Sequence, residues 1–444
     1  MTTDAPPRQR HTASAAGGMD LVLFTDLFPS GSGEAFLEPE IGILARTFAR
    51  VTVVPRRALP TARNMPEGVH VDYSLAEFHR VRTKRGSLAA ALGSGLLYRE
   101  LAGRPHLLLG RSGADALVGQ LAEALRTKRW LLEKYGSGAL DPARTLVYSY
   151  WLRGATTGAA LAQRALGGRK GPRIISRAHG FDVYADRHVG GYVPLQRQAI
   201  EAADAVFTVS EHGRAYLTTC HPLLAERISV ARLGSAEPET TGRGSSDGVF
   251  RVLTCARVEE VKRLDRVVEA LAALGNSLPG QRVEWTHFGS GSGEDAIRGM
   301  AGKLLPGSVA WRMRGEVPNS EVRRHYATRP VDVLLSLSRS EGVPVSMMEA
   351  QSFGVPIVAT GVGGVPEIVV PGTGVLLPAD PAAAEVASAL CGFMPHVPDV
   401  NEVRERARAN WGANYRAEVN LERFVDQLVE RFATGSPSAR AGVG

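Results

Sequence analysis

The stretch VDVLLSLSRSEGVPVSMMEAQSFGVPIVA, residues 331–359, changes its hydrophobic pattern several times. Residues 331–337 form an apolar run typical of a buried strand, residues 346–353 suit a helix, and residues 356–359 form a second short apolar run. Strand, loop, helix and strand in this order are typical of a parallel sheet covered by helices. The segment therefore predicts an α/β fold with a polar loop at the carboxyl end of a buried strand.

The same alternation continues towards both ends of the chain. Helices are predicted near residues 34–46, 156–166 and 264–274. Further strands are predicted at residues 21–24, 51–54, 145–148, 173–176, 205–209, 250–255 and 283–288. We expect two doubly wound, Rossmann-like domains that face each other across a cleft, because ligands of such sheets bind at the carboxyl ends of the strands.

Breaks in the pattern predict the domain boundaries. Residues 236–248 are rich in Gly and Ser and predict a linker. Residues 1–18 are polar, without the apolar segment of a secretory signal, and we expect a disordered tail. The predicted order is tail 1–18, first domain 19–235, linker 236–248, second domain 249–410, C-terminal helices 411–434 and disordered tail 435–444.

The composition excludes several classes of protein. With 444 residues, 44% hydrophobic and 22% charged, the chain is neither a disordered polymer nor a coiled coil. Three cysteines, Cys220, Cys255 and Cys391, lie too far apart for a zinc knuckle and favour a reducing cytoplasm. No run of about 18 apolar residues is present, so we expect no membrane-spanning helix.

Positive charge exceeds negative charge, with 52 Lys and Arg against 45 Asp and Glu and a net charge of +7. Such an excess suits phosphorylated ligands, nucleic acid, an acidic membrane or simply a solvated surface. Between Arg80 and Lys134 we count eleven basic and four acidic residues. This stretch is typical either of interfacial membrane contact or of an ordinary helical face. Aromatic residues make up only 6% and do not alternate with basic residues, which disfavours nucleic acid.

The loop of residues 338–345 predicts an anion site. If Pro344 takes the first helical position, the amides of Val345 and Ser346 point out of the helix N-terminus, where the helix dipole favours anions. Glu341 in the loop and Glu349 in the helix then face one side and suit two hydroxyl-bearing rings that flank a diphosphate. The alternative is that both are solvated surface acids.

Other polar residues also follow predicted strands. Arg257 and Lys262, in the segment ARVEEVKRL (256–264), suit a diphosphate and would stabilise its charge as it departs; the alternative is surface charge. His179 and Asp182, in SRAHGFDVY (176–184), suit a site in which Asp182 orients the imidazole or binds a hydroxyl. The aromatic residues of YSYWL (148–152) line an acceptor groove or pack in the core.

Together these segments resemble the retaining glycosyltransferases of family 4, which have the GT-B fold. The resemblance extends from about Leu21 to about Phe432. At residue 263 it breaks, since an Arg stands where a Gly commonly follows the Lys, so the local turn is expected to differ. The matching pieces are Glu341 with Glu349, Arg257 with Lys262, AHGFD (178–182), RGEV (314–317) and GVGGVPE (361–367). FPSGSGEAFL (28–37) and YSYWL look like a subgroup that builds capsular and exopolysaccharides.

The resemblance implies a role for each matching residue. Glu341 and His179 would contact the donor sugar, Glu349 the ribose, and Arg257 with Lys262 the diphosphate. The remaining implied donor contacts are backbone groups of Gly342, Val343, Pro344 and Val345 at the sugar and phosphate, Val317 at the base, Gly33 at the phosphates or acceptor, and Asp182. The resemblance further implies that the helices of residues 411–434 cross back to the first domain.

The implied reaction is a hexosyl transfer from a nucleotide diphosphate sugar to a hydroxyl of a saccharide acceptor, with retained configuration. The resemblance implies that the first domain binds the acceptor and the second the donor, and that neither a metal ion nor a cofactor other than the donor takes part. The basic stretch favours a lipid-linked acceptor and a cytoplasmic protein that is peripheral on the inner membrane face. A nucleotide-sugar epimerase of the same architecture and a non-catalytic sugar- or nucleotide-binding protein remain as alternatives.

Overall fold

The computed structural model describes residues 18–31, 34, 36–81, 92–103, 111–168, 171–188 and 190–432. The chain divides into two compact units. The first comprises the chain up to Thr208, Tyr216–Ala231 and the chain from Leu421, and the second comprises Val209–Ala215 and Arg232–Asn420. The predicted tails, residues 1–18 and 435–444, lie outside the described residues except for Gly18.

Among the described residues, the first unit is built on a seven-stranded parallel sheet with the order β3-β2-β1-β4-β5-β6-β7. Its central strands β1, β4 and β5 are buried except at the first residues of β1 and β5, as expected for a parallel sheet covered on both faces. The strands are β1 Asp20–Thr25, β2 Arg50–Pro55, β3 Val69–Val71, β4 Thr145–Ser149, β5 Arg173–Ala178, β6 Ala205–Thr208 and β7 Ile228–Val230.

The helices of this unit are α1 Leu37–Thr47, α2 Ser74–Val81, α3 Gly95–Gly103, α4 Arg111–Gly136, α5 Gly154–Ala165 and α6 Gln196–Ala202. Small residues let α5 lie directly against α4. A Cβ at Gly154 would come within 2.5 Å of the Gln120 carbonyl oxygen, and one at Gly158 within 2.4 Å of the Ala124 carbonyl oxygen. These two glycines, one turn apart, therefore determine how closely the helices approach.

The second unit holds, in its described residues, a six-stranded parallel sheet with the order β10-β9-β8-β11-β12-β13. Its strands are β8 Val249–Cys255, β9 Arg282–Phe288, β10 Val309–Met313, β11 Val333–Ser336, β12 Ile357–Thr360 and β13 Gly374–Leu377. Its helices are α8 Leu264–Ser277, α9 Glu294–Leu304, α10 Asn319–Thr328, α11 Val345–Ser352, α12 Val365–Ile368, α13 Ala383–Cys391 and α14 Val400–Asn414. Two further helices, α7 Glu211–Cys220 and α15 Ala417–Phe432, each have residues in both units.

The amphipathic pattern of α8 shows how the sequence builds this layer. Its residues Leu264, Val267, Val268, Leu271 and Leu274 recur at helical spacing and are at most 4% exposed, packed against the sheet. Burial of each such side chain contributes about 1.5–3 kcal/mol. The face of α8 opposite the sheet carries the charged residues.

The two parallel sheets confirm the predicted fold class of two Rossmann-like halves. The predicted linker, residues 236–248, belongs to the second unit. The Gly242 amide donates to the Phe353 carbonyl oxygen at 3.1 Å, and the Ser245 amide donates to Asp332 at 2.7 Å. Because residues 236–248 have no apolar periodicity, the sequence does not predict that this segment packs against the second unit.

No helix in the described part of the chain combines the length and apolar character needed to cross a bilayer.

Candidate active site

The loop between β11 and α11 carries the first candidate residues. The predicted position of Pro344 is wrong by one residue, because Pro344 precedes the helix with extended ψ (φ −71°, ψ 112°) and Val345 is the first helical residue. Proline's restricted φ is compatible with either position. The Pro344 carbonyl oxygen accepts from the Met347 amide at 3.1 Å. The amides of Val345 and Ser346 have no acceptor within the helix, as at any helix N-terminus, so they remain suited to an anion.

Lys262 and Glu341 meet beside this loop. Lys262 ends a short 3₁₀ turn, Glu260–Lys262, that follows β8. Its Nζ donates to Glu341 Oε1 at 2.6 Å, and the two side chains are 18% and 8% exposed. The pair is thus largely removed from water, where an ion pair is stronger than at the surface.

A tight turn of two glycines packs against the backbone of Glu341. Gly363 has φ +56°, and a Cβ there would lie 1.9 Å from the Glu341 carbonyl oxygen. The Gly364 amide donates to the Gly342 carbonyl oxygen at 2.8 Å. Glycine is therefore required at residue 363 both for backbone conformation and for space. This turn therefore fixes the position of the Glu341 backbone.

We expect Gly363→Ala to lower the free energy of unfolding by about 2–4 kcal/mol, because a positive φ alone costs a residue with a Cβ about 1–2 kcal/mol and the overlap adds to it. Gly361→Ala is the matched control, since its Cβ would find its nearest contact at 3.5 Å and its φ is not positive. Urea unfolding of both variants measures the difference. Equal stability of the two variants would contradict the role of the Gly363 turn.

Glu349 is the fifth of the eight residues of α11 and is buried, 7% exposed. Burial raises its pKa, and the Asn319 amide nitrogen, which donates to Glu349 Oε1 at 2.6 Å, acts in the opposite direction. Desolvation raises the pKa of the half-buried Cys255 thiol at the end of β8 to about 12, with Glu349 raising this pKa further and Lys262 lowering it. Glu341 and Glu349 are therefore both buried and hydrogen-bonded to a polar side chain, and neither is a solvated surface acid.

Asn319 is a residue that sequence reasoning missed. It is the first residue of α10, directly after Val317 and Pro318, and Val317 itself is half-buried against the core. An Asn at a predicted helix start is common enough to carry no functional signal. Its contact with Glu349 appears only in the fold.

Arg257, predicted to hold a diphosphate with Lys262, does not join the Lys262–Glu341 pair. Its guanidinium contacts Glu259 at 2.9 Å, and its side chain is 76% exposed. Its backbone is nonetheless held, because its carbonyl oxygen accepts from the Glu259 amide at 2.9 Å. The next amide, that of Val258, donates to the Ser290 carbonyl oxygen at 2.9 Å in the glycine turn that follows β9. The role of Arg257 stays a prediction.

In the first unit, His179 follows β5 and lies in an aromatic cage. Its Nε2 is 3.0 Å from the Tyr150 carbonyl oxygen. The rings of Trp151 and Tyr150 have their centroids 4.6 and 4.8 Å from that of His179. Burial, and next the charge of Arg177, lower the pKa of His179 to about 3. The imidazole is therefore neutral at physiological pH and can hydrogen-bond but not act as a cation.

Asp182 organises the loop around His179 through the backbone. One carboxylate oxygen accepts from the His179 amide at 2.7 Å and the other from the Leu152 amide at 2.8 Å. Burial raises the pKa of Asp182 to about 6. The carboxylate thus joins the ends of β4 and β5, and the imidazole is oriented by Tyr150 instead.

Glu34 performs a similar role that the sequence did not predict. Its carboxylate accepts from the amides of Leu27 and Phe28, both at 2.7 Å, and from Trp151 Nε1 at 2.6 Å. Glu34 has φ +57°, which suits the left-handed turn of this glycine-rich loop. The neighbouring predicted residue Gly33 lies outside the described residues.

A second buried feature of this unit is an ion pair between Arg177 and Glu40. Arg177 and Glu40 are both 0% exposed, with Nη1 and Oε2 3.4 Å apart. The Tyr148 hydroxyl donates to Glu40 at 2.8 Å, and the Arg177 guanidinium lies 4.2 Å from the ring centroid of Phe424. Sequence reasoning missed this pair because Glu40 occurs in an ordinary helical pattern and Arg177 within an apolar strand.

Comparison with known proteins shows which family the second unit is similar to. Residues 249–394 match the family described as glycosyl transferases group 1. These residues form a group 1 glycosyltransferase domain. The domain contains the Lys262–Glu341 pair, the Gly363 turn and Glu349.

Two curated relatives align with about half of the chain. The amylovoran biosynthesis glycosyltransferase AmsK of Erwinia amylovora is 29% identical over 217 residues, 47% of this chain and 52% of that protein. A Salmonella typhimurium (strain LT2) protein, which bears the provisional name colanic acid biosynthesis glycosyltransferase WcaL, is 30% identical over 233 residues, 50% of this chain and 56% of that protein. The chain thus matches about half the length of these relatives.

The fold is shared over a greater length. The structure of an α,α-trehalose-phosphate synthase (UDP-forming) from Burkholderia vietnamiensis superposes with a TM-score of 0.66 and 14% identity, over 93% of this chain and 99% of that one. At this identity the likeness concerns the fold alone. Together with the two parallel sheets it confirms the predicted GT-B fold.

Proposed function

We propose that this protein is a retaining glycosyltransferase that transfers a hexose from a nucleotide diphosphate sugar to a hydroxyl of a lipid-linked saccharide, in the synthesis of a cell-surface polysaccharide. The observation that carries the proposal is the buried Lys262–Glu341 pair beside the helix amides of Val345 and Ser346, within a group 1 glycosyltransferase domain. The names of the two curated relatives support polysaccharide synthesis, and the name of the trehalose-phosphate synthase (UDP-forming) that shares the fold supports a nucleotide donor.

The chemistry follows from the charges at this site. Lys262 and the amides of Val345 and Ser346 stabilise the negative charge that develops on the departing nucleoside diphosphate. The Glu341 carboxylate accepts from hydroxyls of the donor sugar, and Glu349, steadied by Asn319, accepts from the ribose. Because protein cations and amides meet the diphosphate, we expect no requirement for a metal ion or for a cofactor other than the donor.

His179 has a different role in the proposed transfer. Its Nε2 faces the Tyr150 carbonyl oxygen and therefore carries the single proton of the neutral ring, so Nδ1 can accept a hydrogen bond from a sugar hydroxyl. In a retaining transfer by front-side attack, the leaving phosphate takes the acceptor proton, so a protonated imidazole is not required. The low pKa of His179 fits this role.

We also propose a cytoplasmic location with peripheral contact to anionic lipid through residues 80–134. Part of this stretch lies outside the described residues, and in the described part Lys134 pairs with Asp72 at 2.6 Å and Arg129 with Glu133 at 2.6 Å. Sedimentation with vesicles tests the contact. Equal binding to neutral and anionic vesicles would contradict it.

The experiment for the activity is a panel of nucleotide sugars, each incubated with a polyprenyl diphosphate-linked saccharide, with the free saccharide, or without acceptor, and with or without EDTA. We expect nucleoside diphosphate release that depends on the lipid-linked acceptor, resists EDTA and gives a product with the donor's anomeric configuration by NMR. Glu341→Gln should abolish release.

Three results would overturn the proposal. An epimerised donor in the absence of acceptor would identify an epimerase. Saturable donor binding without nucleoside diphosphate release would identify a binding protein. Unchanged release by a folded Glu341→Gln variant would remove the assigned site.

A further inference from the structure

Arg263 follows Lys262 and differs from an ordinary surface arginine in two ways. It is 6% exposed, and its backbone is left-handed, with φ 49° and ψ 49°. A residue with a Cβ rarely adopts this conformation, and the residue occupies it directly before α8. Contacts of the side chain must therefore offset the strain of the backbone.

The guanidinium makes those contacts with two other loops. Its Nε donates to the Leu337 carbonyl oxygen at 2.5 Å, and its Nη2 donates to the Ala379 carbonyl oxygen at 2.7 Å. Its Nη1 lies 3.1 Å from Asp380 Oδ1. Leu337 directly follows β11, and Ala379 and Asp380 follow β13. One planar group thus joins the chain segments that leave three strands of the sheet.

Two of these segments carry the proposed diphosphate site. Lys262 immediately precedes Arg263, and Glu341 lies four residues after Leu337. The segments are also joined by the Arg339 amide, which donates to the Val261 carbonyl oxygen at 2.8 Å, and by the Lys262–Glu341 pair itself. Arg263, which is 6% exposed, adds a third connection between them.

We propose that Arg263 is a positioning residue whose guanidinium fixes the separation of the Lys262 and Glu341 loops and thereby determines the affinity for the nucleoside diphosphate part of the donor. It does not touch the donor. The affinity part rests on the proposed function, whereas the effect on the two loops does not.

Three variants separate the possible roles. Arg263→Gly keeps the left-handed turn, which glycine adopts readily, and removes the guanidinium. Arg263→Lys keeps the charge and the backbone strain but loses the planar fork. Arg266→Ala is the control, because Arg266 lies in the first turn of α8, 44% exposed, and its guanidinium approaches the same Asp380 at 3.9 Å.

The first measurement is hydrogen–deuterium exchange of the unliganded proteins. In Arg263→Gly we expect the amides of residues 257–263 and 337–343 to exchange about tenfold faster, since bonds to a charged donor are among the stronger ones that oppose local opening. Arg263→Lys should lie between this variant and the wild type, and Arg266→Ala should match the wild type. If Arg263→Gly does not fold, the Lys variant supports the same comparison.

The second measurement is calorimetric binding of UDP, GDP and ADP. We expect Arg263→Gly to raise the Kd of the nucleotide that binds wild-type protein by about 5–20-fold, with KM for the donor rising more than kcat falls. A merely structural role would lower the melting temperature and leave exchange in both loops and the Kd unchanged, which would overturn the proposal. Faster exchange in a protein that binds no nucleoside diphosphate would sustain the loop effect and overturn the proposed function and the affinity effect.

Discussion

Lys262→Ala lowers kcat with the preferred nucleotide sugar by about 100- to 1000-fold, the range seen when a group that stabilises transition-state charge is removed. Two effects combine. The departing diphosphate loses its nearest cation, and the buried Glu341 loses the ammonium group 2.6 Å away. A buried carboxylate that loses its cation lacks the contact that holds it in place, so Glu341 no longer meets the sugar in the same position.

The measurement is initial-rate kinetics with saturating donor, with circular dichroism to confirm folding. Lys303→Ala is the matched control, because Lys303 is an exposed lysine in the last turn of α9. Lys262→Arg, which keeps the charge but changes its shape, should lie between the two. A folded Lys262→Ala variant within threefold of wild-type kcat would contradict the assignment of Lys262.

Arg177→Met should have the largest effect on stability, a loss of about 3–5 kcal/mol, because it leaves the carboxylate of Glu40 buried without a cation. Both side chains are 0% exposed. The change also removes the contact between the guanidinium and the ring of Phe424 at 4.2 Å. Urea unfolding of the purified protein measures the loss.

The penalty should grow with pH. Burial raises the pKa of Glu40 above its ordinary 4.5, and loss of the Arg177 charge, which lowers it, raises it further. Folded wild-type protein already keeps the Glu40 proton above pH 4.5, and the variant keeps it to a higher pH still. Between these two raised pKa values only the variant loses stability as pH rises, so the penalty grows by at most about 1.4 kcal/mol per pH unit. A penalty that is the same at pH 5 and pH 8 would contradict a charged Glu40.

Two further variants test whether charge is the cause. Arg173→Met removes an arginine from the same strand, 39% exposed and 3.7 Å from Asp204, and should cost at most about 1 kcal/mol. Glu40→Gln combined with Arg177→Met removes both charges and keeps an acceptor for Tyr148, so it should recover at least half of the loss. If the double variant is no more stable than Arg177→Met, lost packing rather than charge explains the effect.

Much of the fold could be predicted because its central strands are short apolar runs between polar turns. The sequence predicts both ends of five strands to within two residues, namely those of β1, β4, β5, β8 and β9. The peripheral strands β3, β7, β10 and β13 were not predicted. Their residues alternate between buried and exposed or are few, as in β10 with its exposed Ala310 and Arg312, so no continuous apolar run marks them.

The candidate site was predictable to the extent that its residues follow strands directly. Glu341 and Lys262 stand in loops whose chemistry can be recognised from neighbouring proline, glycine and charge. Pro344 was misplaced by one residue because both positions satisfy its φ. Asn319, Glu34 and the contacts of Arg263 were not predictable, since each acts on a residue brought near by strand order.

The sequence by itself determined the alternation of strands and helices, the two parallel halves, and the loops on which Glu341, Lys262 and His179 lie, because these depend on hydrophobic periodicity and local turn chemistry. Tertiary structure decided which charges meet. Lys262 and Glu341 are 79 residues apart, and Glu34 and Trp151 are 117 apart. They are neighbours because β8 pairs with β11 and β1 with β4. Burial by the surrounding fold then makes the imidazole of His179 neutral and keeps the Glu40–Arg177 pair out of water, which no local pattern specifies.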